Sequence, residues 1–306
     1  MTTRTTTRPR LAVSTLGYLW GSVDTTPLEQ MAQCYADLHD IGFTAVRVDV
    51  PDDLPLDDYA HWLGVYQLTP ATGVFAATFD GAETLPGILE RARRTAAQHT
   101  ALGLDRVMLL PDPVPARVAR PAVGAKHDRE AFARALEEIG ETARVLGAEG
   151  LRPLLHPRVG GLVETEAEVV AALDQLGPDV VGFGPDTGHL RWAGMDPADM
   201  VARYADRVGA VHLSDVYADY VQPTRRGRGK SYPELVATRR LWAEPGAGVV
   251  PFDRVLAALP GCFDGDLLLE IERPSTFSVY EAYLQAYEWA GHMLEPLVAG
   301  PEPPLR

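Results

Sequence analysis

Apolar positions along this chain fall into two alternating patterns. Short runs dense in β-branched and apolar residues occur at 11–16 (LAVSTL), 43–50 (FTAVRVDV), more weakly at 70–77, and at 104–112 (LDRVMLLPD). Four more follow at 151–156, 179–184, 208–213 and 266–271. All eight read as strands. Between them lie segments whose apolar residues recur three and four apart, as in 27–41, where Leu28, Met31, Cys34, Leu38 and Ile41 share one face. Helices are predicted there and at 56–64, 84–103, 127–146, 164–176, 197–206, 251–260 and 277–295. Gly42 and Gly103 act as stops after two of them.

Eight strands, each followed by a helix, imply a parallel sheet, and eight units is the count of a (β/α)8 TIM barrel. No composition break divides the chain, so a single domain over 11–297 is expected, with a loose leader at 1–10 and a Pro-rich tail at 298–306. Three segments lack either period: the loop 17–21, the Pro-rich loop 111–121, and a long excursion over 216–250 containing RRGRGKS and EPGAG. No GxGxxG follows the first strand and no GxxxxGK[ST] occurs. GRGKS at 227–231 therefore reads as a charged loop rather than a phosphate cradle.

Composition narrows the function classes. Apolar residues make up 46% of 306 residues, as in a globular chain. The formal charge of -14 is spread without an acidic tail and argues against a nucleic-acid partner. Cys34 and Cys262 are the two cysteines and form neither a disulfide framework nor a thiolate metal pattern. The start has no apolar signal region, and no run of 18 apolar residues suggests a membrane span. A cytoplasmic protein is expected.

The candidate chemistry sits at strand ends. His156, Asp186, His212 and Glu270 each close a predicted strand on its C-terminal side, where parallel barrels gather their functional groups. Two imidazoles and two carboxylates suit one divalent ion, Mn²⁺ or Co²⁺, with Zn²⁺ also compatible; Mg²⁺ prefers an all-oxygen shell. Each residue also has a structural reading: a satisfied strand-end histidine, a helix N-cap at Asp186, a carbonyl bond at His212, an ion pair of Glu270 with Arg273. His189 and Glu272 are further candidates for proton transfer beside Glu270. Glu272 shares a strand face with Glu270 across Ile271. Arg47, Arg158, Trp20, Trp192 and Asp215 are candidate substrate contacts. Arg225, Arg226, Arg228 and Lys230 read as a solvated loop face.

Several of these residues lie in segments similar to known motifs. His156–Thr165 reads HPRVGGLVET, similar to HPHMGTVVET; Asp186–Leu190 reads DTGHL, followed by Ala193-Gly194 and Asp196-Pro197. AVHLSD at 210–215 is similar to HVHLKD, PGAGVVPF at 245–252 to a PGDG-V-DF turn, and DGDLLLE at 264–270 to DGWLVVE. On these segments, good over about 150–290, the chain resembles the sugar phosphate isomerase/epimerase superfamily of xylose-isomerase-like TIM barrels, and within it the inosose dehydratase family. The resemblance implies that His156, Asp186, His212 and Glu270 hold a metal ion and that the substrate is a small polyol or sugar. Barrels of this type often pair, so a homodimer is an expectation. The departures are Arg158 for a histidine, Gly161 for a threonine, Ser214 for a lysine and Arg47 for a glutamate. His156 stands where many epimerases of the superfamily carry a second glutamate. That favours a dehydratase of a keto-cyclitol or keto-sugar over an isomerase or epimerase acting through an enediolate. In this scheme Glu270 or Glu272 is the base and His189 the acid.

Overall fold

Residues 8–20, 27–222 and 229–298 are described in a computed structural model of the chain. Eight parallel strands form a barrel wall. They are Arg10–Val13, Ala45–Arg47, Thr69–Ala71 continuing beyond Thr72 as Gly73–Ala77, and Arg106–Pro111. Arg152–Leu155, Gly182–Phe183, Val211–Leu213 and Asp266–Leu269 complete it. The first strand pairs with the second and the eighth, and the eighth with the seventh. The third changes neighbours at Thr72: its first half pairs with the second strand, its second half with the fourth. The sixth and seventh strands are joined by two single bridges, Phe183 with Val208 and Asp186 with His212. Closure of the wall therefore brings two predicted ligands side by side.

Strand side chains alternate in direction, and the two directions meet different cores. Val13, Val46, Val107, Leu109, Leu155, Phe183, Val211, Leu213, Leu267 and Leu269 belong to the large core shared with the surrounding helices. Ala12, Ala45, Ala71, Met108, Leu154, Ala210 and Leu268 cluster separately, filling the barrel axis. Moving two residues on from this inner set gives Ser14, Arg47, His156, His212 and Glu270. The predicted site is thus the next layer of the barrel interior, at the C-terminal ends of the strands.

The outer helices are Pro27–Ile41, Leu56–Val65, Leu85–Ala101, Arg129–Ala148, Glu166–Leu176, Pro197–Arg203, Phe252–Ala257 and Val279–Val298. Their starts follow capping chemistry: Asp128 accepts from the Ala131 N–H at 2.7 Å and Asp196 from the Ala198 N–H at 2.9 Å. No helix among the described residues is long and apolar enough to cross a membrane.

Three expectations need correction. Strands are shorter than predicted, above all the sixth, because a turn occupies the residues after Pro178 and only Gly182 and Phe183 pair in a ladder. The loop at 17–21 carries a 3-10 helix, Leu16–Trp20, and the Pro-rich loop a short helix, Pro115–Ala119, where proline at the first position is compatible with helix. The excursion has structure of its own. Asp215–Val216 pairs antiparallel with Trp242–Ala243, and Tyr232–Ala237 is helical. With Trp192, Val159 and Tyr220 these segments build a second small core. Arg225, Arg226 and Arg228 lie outside the described residues, as does the side chain of Trp20.

Candidate metal centre

The four strand-end residues His156, Asp186, His212 and Glu270 are fully buried, each with 0% of its surface exposed. His156 Nδ1 donates to the Gly184 carbonyl at 2.7 Å. A carbonyl can only accept, so Nδ1 carries the proton and the Nε2 lone pair is left for another partner. Asp186 divides its oxygens. Oδ1 accepts from the His189 N–H at 3.0 Å and from the Ser214 hydroxyl, while Oδ2 stands 4.0 Å from His156 Nε2 and 3.8 Å from His212 Nδ1. His212 Nδ1 lies against Glu270 Oε2, and the two imidazole rings are 4.4 Å apart between centroids.

Beyond the contact of His212 Nδ1 with Glu270 Oε2, none of His156 Nε2, Asp186 Oδ2, the His212 nitrogens or the Glu270 oxygens has a hydrogen-bond partner. A buried polar atom left so costs about 1–3 kcal/mol, so the cluster is a large penalty for a fold to carry. A cation removes it, because most of these atoms are lone-pair donors facing one space. His156, Asp186 and His212 each offer a ligand atom within 4.8 Å of the others; Glu270 adjoins that trio through His212. Borderline and moderately hard divalent ions accept this donor set. Burial and the neighbouring His212 push the His156 pKa well below the ordinary imidazole range, keeping it neutral and able to ligate. Burial pushes Asp186 up. Burial would also raise Glu270, but His212, Arg158 and Arg47 hold it well below the usual carboxylate range.

A second cluster adjoins the first. Arg158 contacts Glu272 Oε1 through Nη2, and its Nη1 is 4.0 Å from Glu270 Oε1. His189 Nδ1 accepts from the Val159 N–H at 3.1 Å, so the neutral ring carries its proton on Nε2 and donates to Glu272 Oε1 at 2.9 Å. The guanidinium of Arg158 is 2.8 Å from the same Nε2, a close approach of two donors that share Glu272. Burial pushes His189 down to about 3, with Arg158 reinforcing it. Glu272 is raised to about 7 by burial and the nearby Glu270, against the pull of Arg158. Asp186, His189 and Glu272 also bring one ligand atom each within 4.8 Å of the others. A cavity of about 290 Å³, lined by Leu110, Asp112, Val118 and Tyr232, reaches Arg158.

Residues 35–293 match the family described as xylose isomerase-like TIM barrel. The chain belongs to that family. It is 28% identical over 166 residues to an inosose dehydratase of Geobacillus kaustophilus, covering 54% of this chain and 53% of that protein. The chain thus spans about half the length of the curated relatives it matches. A crystal structure of the IOLI protein with a binding zinc atom superposes with a TM-score of 0.69 at 15% identity, over 95% of this chain and 100% of that one. A D-allulose 3-epimerase from Methylomonas sp. does so at 0.67 and 18% identity, over 94% and 98%. At these identities the superpositions establish the fold alone.

In this xylose isomerase-like barrel the remaining predicted residues divide. Arg47 is 9% exposed and points toward Glu270, with Nη1 at 3.9 Å from Oε1. Trp192, expected as a substrate contact, is packed away in the second small core. It is 1% exposed and packs edge to face on Trp242 with centroids 5.4 Å apart, behind His189. Asp215 is not a substrate contact in this geometry: Oδ1 accepts from the N–H groups of Val216 and Val250, Oδ2 from those of Gly246 and Gly248, at 2.8–3.1 Å. The alternation rule carries a signal for this, since His212 and Ser214 share a direction that Asp215 does not. The Ser214 hydroxyl holds Asp186 and accepts from the Gly188 N–H at 2.9 Å, a role sequence reading missed. Trp242, with its ring 4.8 Å from His189, was missed too, because it lies in the excursion, where no period marks it.

Proposed function

We propose that the chain is a metal-dependent lyase that removes water from a keto-cyclitol or related keto-sugar, the activity that the names of its inosose dehydratase relatives describe. His156, Asp186, His212 and Glu270 would hold Mn²⁺ or Co²⁺, with Zn²⁺ compatible. Such an ion supplies polarisation of a substrate carbonyl, which acidifies the neighbouring C–H.

The observation that carries this reading is the asymmetry of the proton-handling groups. Glu270 and Glu272 both follow the eighth strand, and the opposite wall offers His156, whose Nδ1 is tied to Gly184. Among the described residues inversion by two opposed carboxylates has no second member, whereas elimination needs one group that takes a proton and returns it. Glu272, with a pKa raised to about 7, exchanges protons near neutrality. Glu270 stays ionised. Glu272 removes the proton next to the carbonyl, and its acid form protonates the β-hydroxyl, which leaves as water. General acid–base help of this kind is worth roughly 10²–10⁴ in rate. His189, expected to be the acid, is held neutral with its Nε2–H on Glu272, and so orients the proton carrier instead.

The test is incubation of metal-loaded protein with a panel of inososes and ketoses in deuterium oxide, followed by product mass. A product lighter by one water is expected. A product of conserved mass carrying one solvent deuteron would replace the lyase with an isomerase or epimerase working through the same enediolate.

A further inference from the structure

We infer that the substrate of this site carries a carboxylate and that Arg47 receives it, an inference that takes from the reading above only that this centre is where substrate binds. Arg47 ends the second strand and points inward, two residues beyond Ala45 of the barrel-axis cluster. It is 9% exposed, yet among the described residues its guanidinium makes no hydrogen bond, and Nε has no partner at all. Its two ion pairs are long, 3.9 Å to Glu270 and 3.8 Å to Asp49, and the Asp49 side chain is 69% exposed. A buried guanidinium presents five N–H donors in a planar fork that matches a two-oxygen anion, and leaving that fork unfilled is costly. Arg158, the other arginine of the site, is already engaged by Glu272.

The fork geometry suits a carboxylate, whose two coplanar oxygens accept two parallel N–H···O bonds from one guanidinium.

The experiment is calorimetric binding to the metal-loaded chain. The probes are quinate as a carboxylated cyclitol, its neutral carboxamide, and myo-inositol 1-phosphate. None requires turnover. Wild type is expected to bind quinate at least tenfold more tightly than the carboxamide. That ratio should fall toward one in Arg47→Gln and recover in part in Arg47→Lys, with metal content and far-UV circular dichroism unchanged in both. Three results overturn the inference: quinate binding no better than the carboxamide, or not at all; a ratio that survives Arg47→Gln, which would place the carboxylate on the ion; or tighter binding of the phosphate through Arg47. A quinate preference lost with Arg47, alongside no dehydration of any ketone, would leave this inference standing and remove the lyase reading.

Discussion

Asp186 serves the fold with one oxygen and the site with the other. Oδ1 caps the short helix Thr187–Trp192 and takes the Ser214 hydroxyl, while Oδ2 faces the two imidazoles unpartnered. His156 divides its two nitrogens in the same way. The structural and functional readings that the residue types left open are therefore not rivals at these positions, because each uses a different atom. Ser214 tests the arrangement, since its hydroxyl bonds Asp186 Oδ1 and not Oδ2, the oxygen that faces the two imidazoles. Ser214→Ala should weaken metal affinity about 10–100-fold by freeing the Asp186 carboxylate. It should also cost about 1–3 kcal/mol by orphaning the buried Gly188 N–H. Metal titration reads the first and urea unfolding the second, and unchanged metal affinity would show that Asp186 does not need this support. What the sequence made legible here was which residues end the inward-facing rows. Which atom of each was already committed was not legible, because that depends on Gly184, His189 and Ser214 from neighbouring strand ends.

At the scale of elements, the eight strands and their helices were readable from periodicity, while the excursion after the seventh strand was not. Its pieces are two-residue strands and single helical turns, too short to show a period. They are fixed instead by a specific clamp, the Asp215 carboxylate gathering the backbone N–H groups of Val216, Gly246, Gly248 and Val250. The approach is so close that a Cβ on Gly248 would overlap the Asp215 carboxylate. Trp242, which packs on His189, comes from the same excursion, so the clamp reaches the site through it. Asp215→Asn turns one acceptor oxygen into an NH₂ group facing two N–H donors. Bonds to a charged acceptor are worth about 1.5–3 kcal/mol, so a loss of about that size is expected in the unfolding free energy. Metal affinity should change far less than in Ser214→Ala. A variant as stable as wild type would mean that the loop is held from elsewhere.

The whole barrel depends on closing a wall whose third strand switches partners at Thr72. At that switch the Thr72 N–H and hydroxyl both bond Asp266 Oδ2 at 2.7 Å, and Arg10 grips the same carboxylate at 2.8 and 3.1 Å. One buried acid thus ties the first, third and eighth strands together at the end of the barrel away from the site. This is the face where such residues serve stability. Burial alone would raise the Asp266 pKa, but Arg10 and Thr72 outweigh it and hold the group below the usual carboxylate value. A group depressed in the folded state stabilises the fold above its unfolded pKa, about 3.9 for aspartate. That contribution is lost as pH falls through the lower folded value. Two effects then act in acid. Protonation first cancels the formal charge of -14 and, below the isoelectric point of about 5.0, builds a net positive charge that repels itself, and it also breaks this tie. Comparing wild type with Asp266→Asn separates them, because both chains share the first effect almost equally. Near neutral pH the variant should melt at a lower temperature. Below about pH 3.9 the gap between the two melting curves should narrow steadily, as the wild-type carboxylate takes up its proton. A gap that stays constant across that window would show that the Asp266 charge contributes nothing to closing the barrel, and that the hydrogen bonds to Thr72 alone do so.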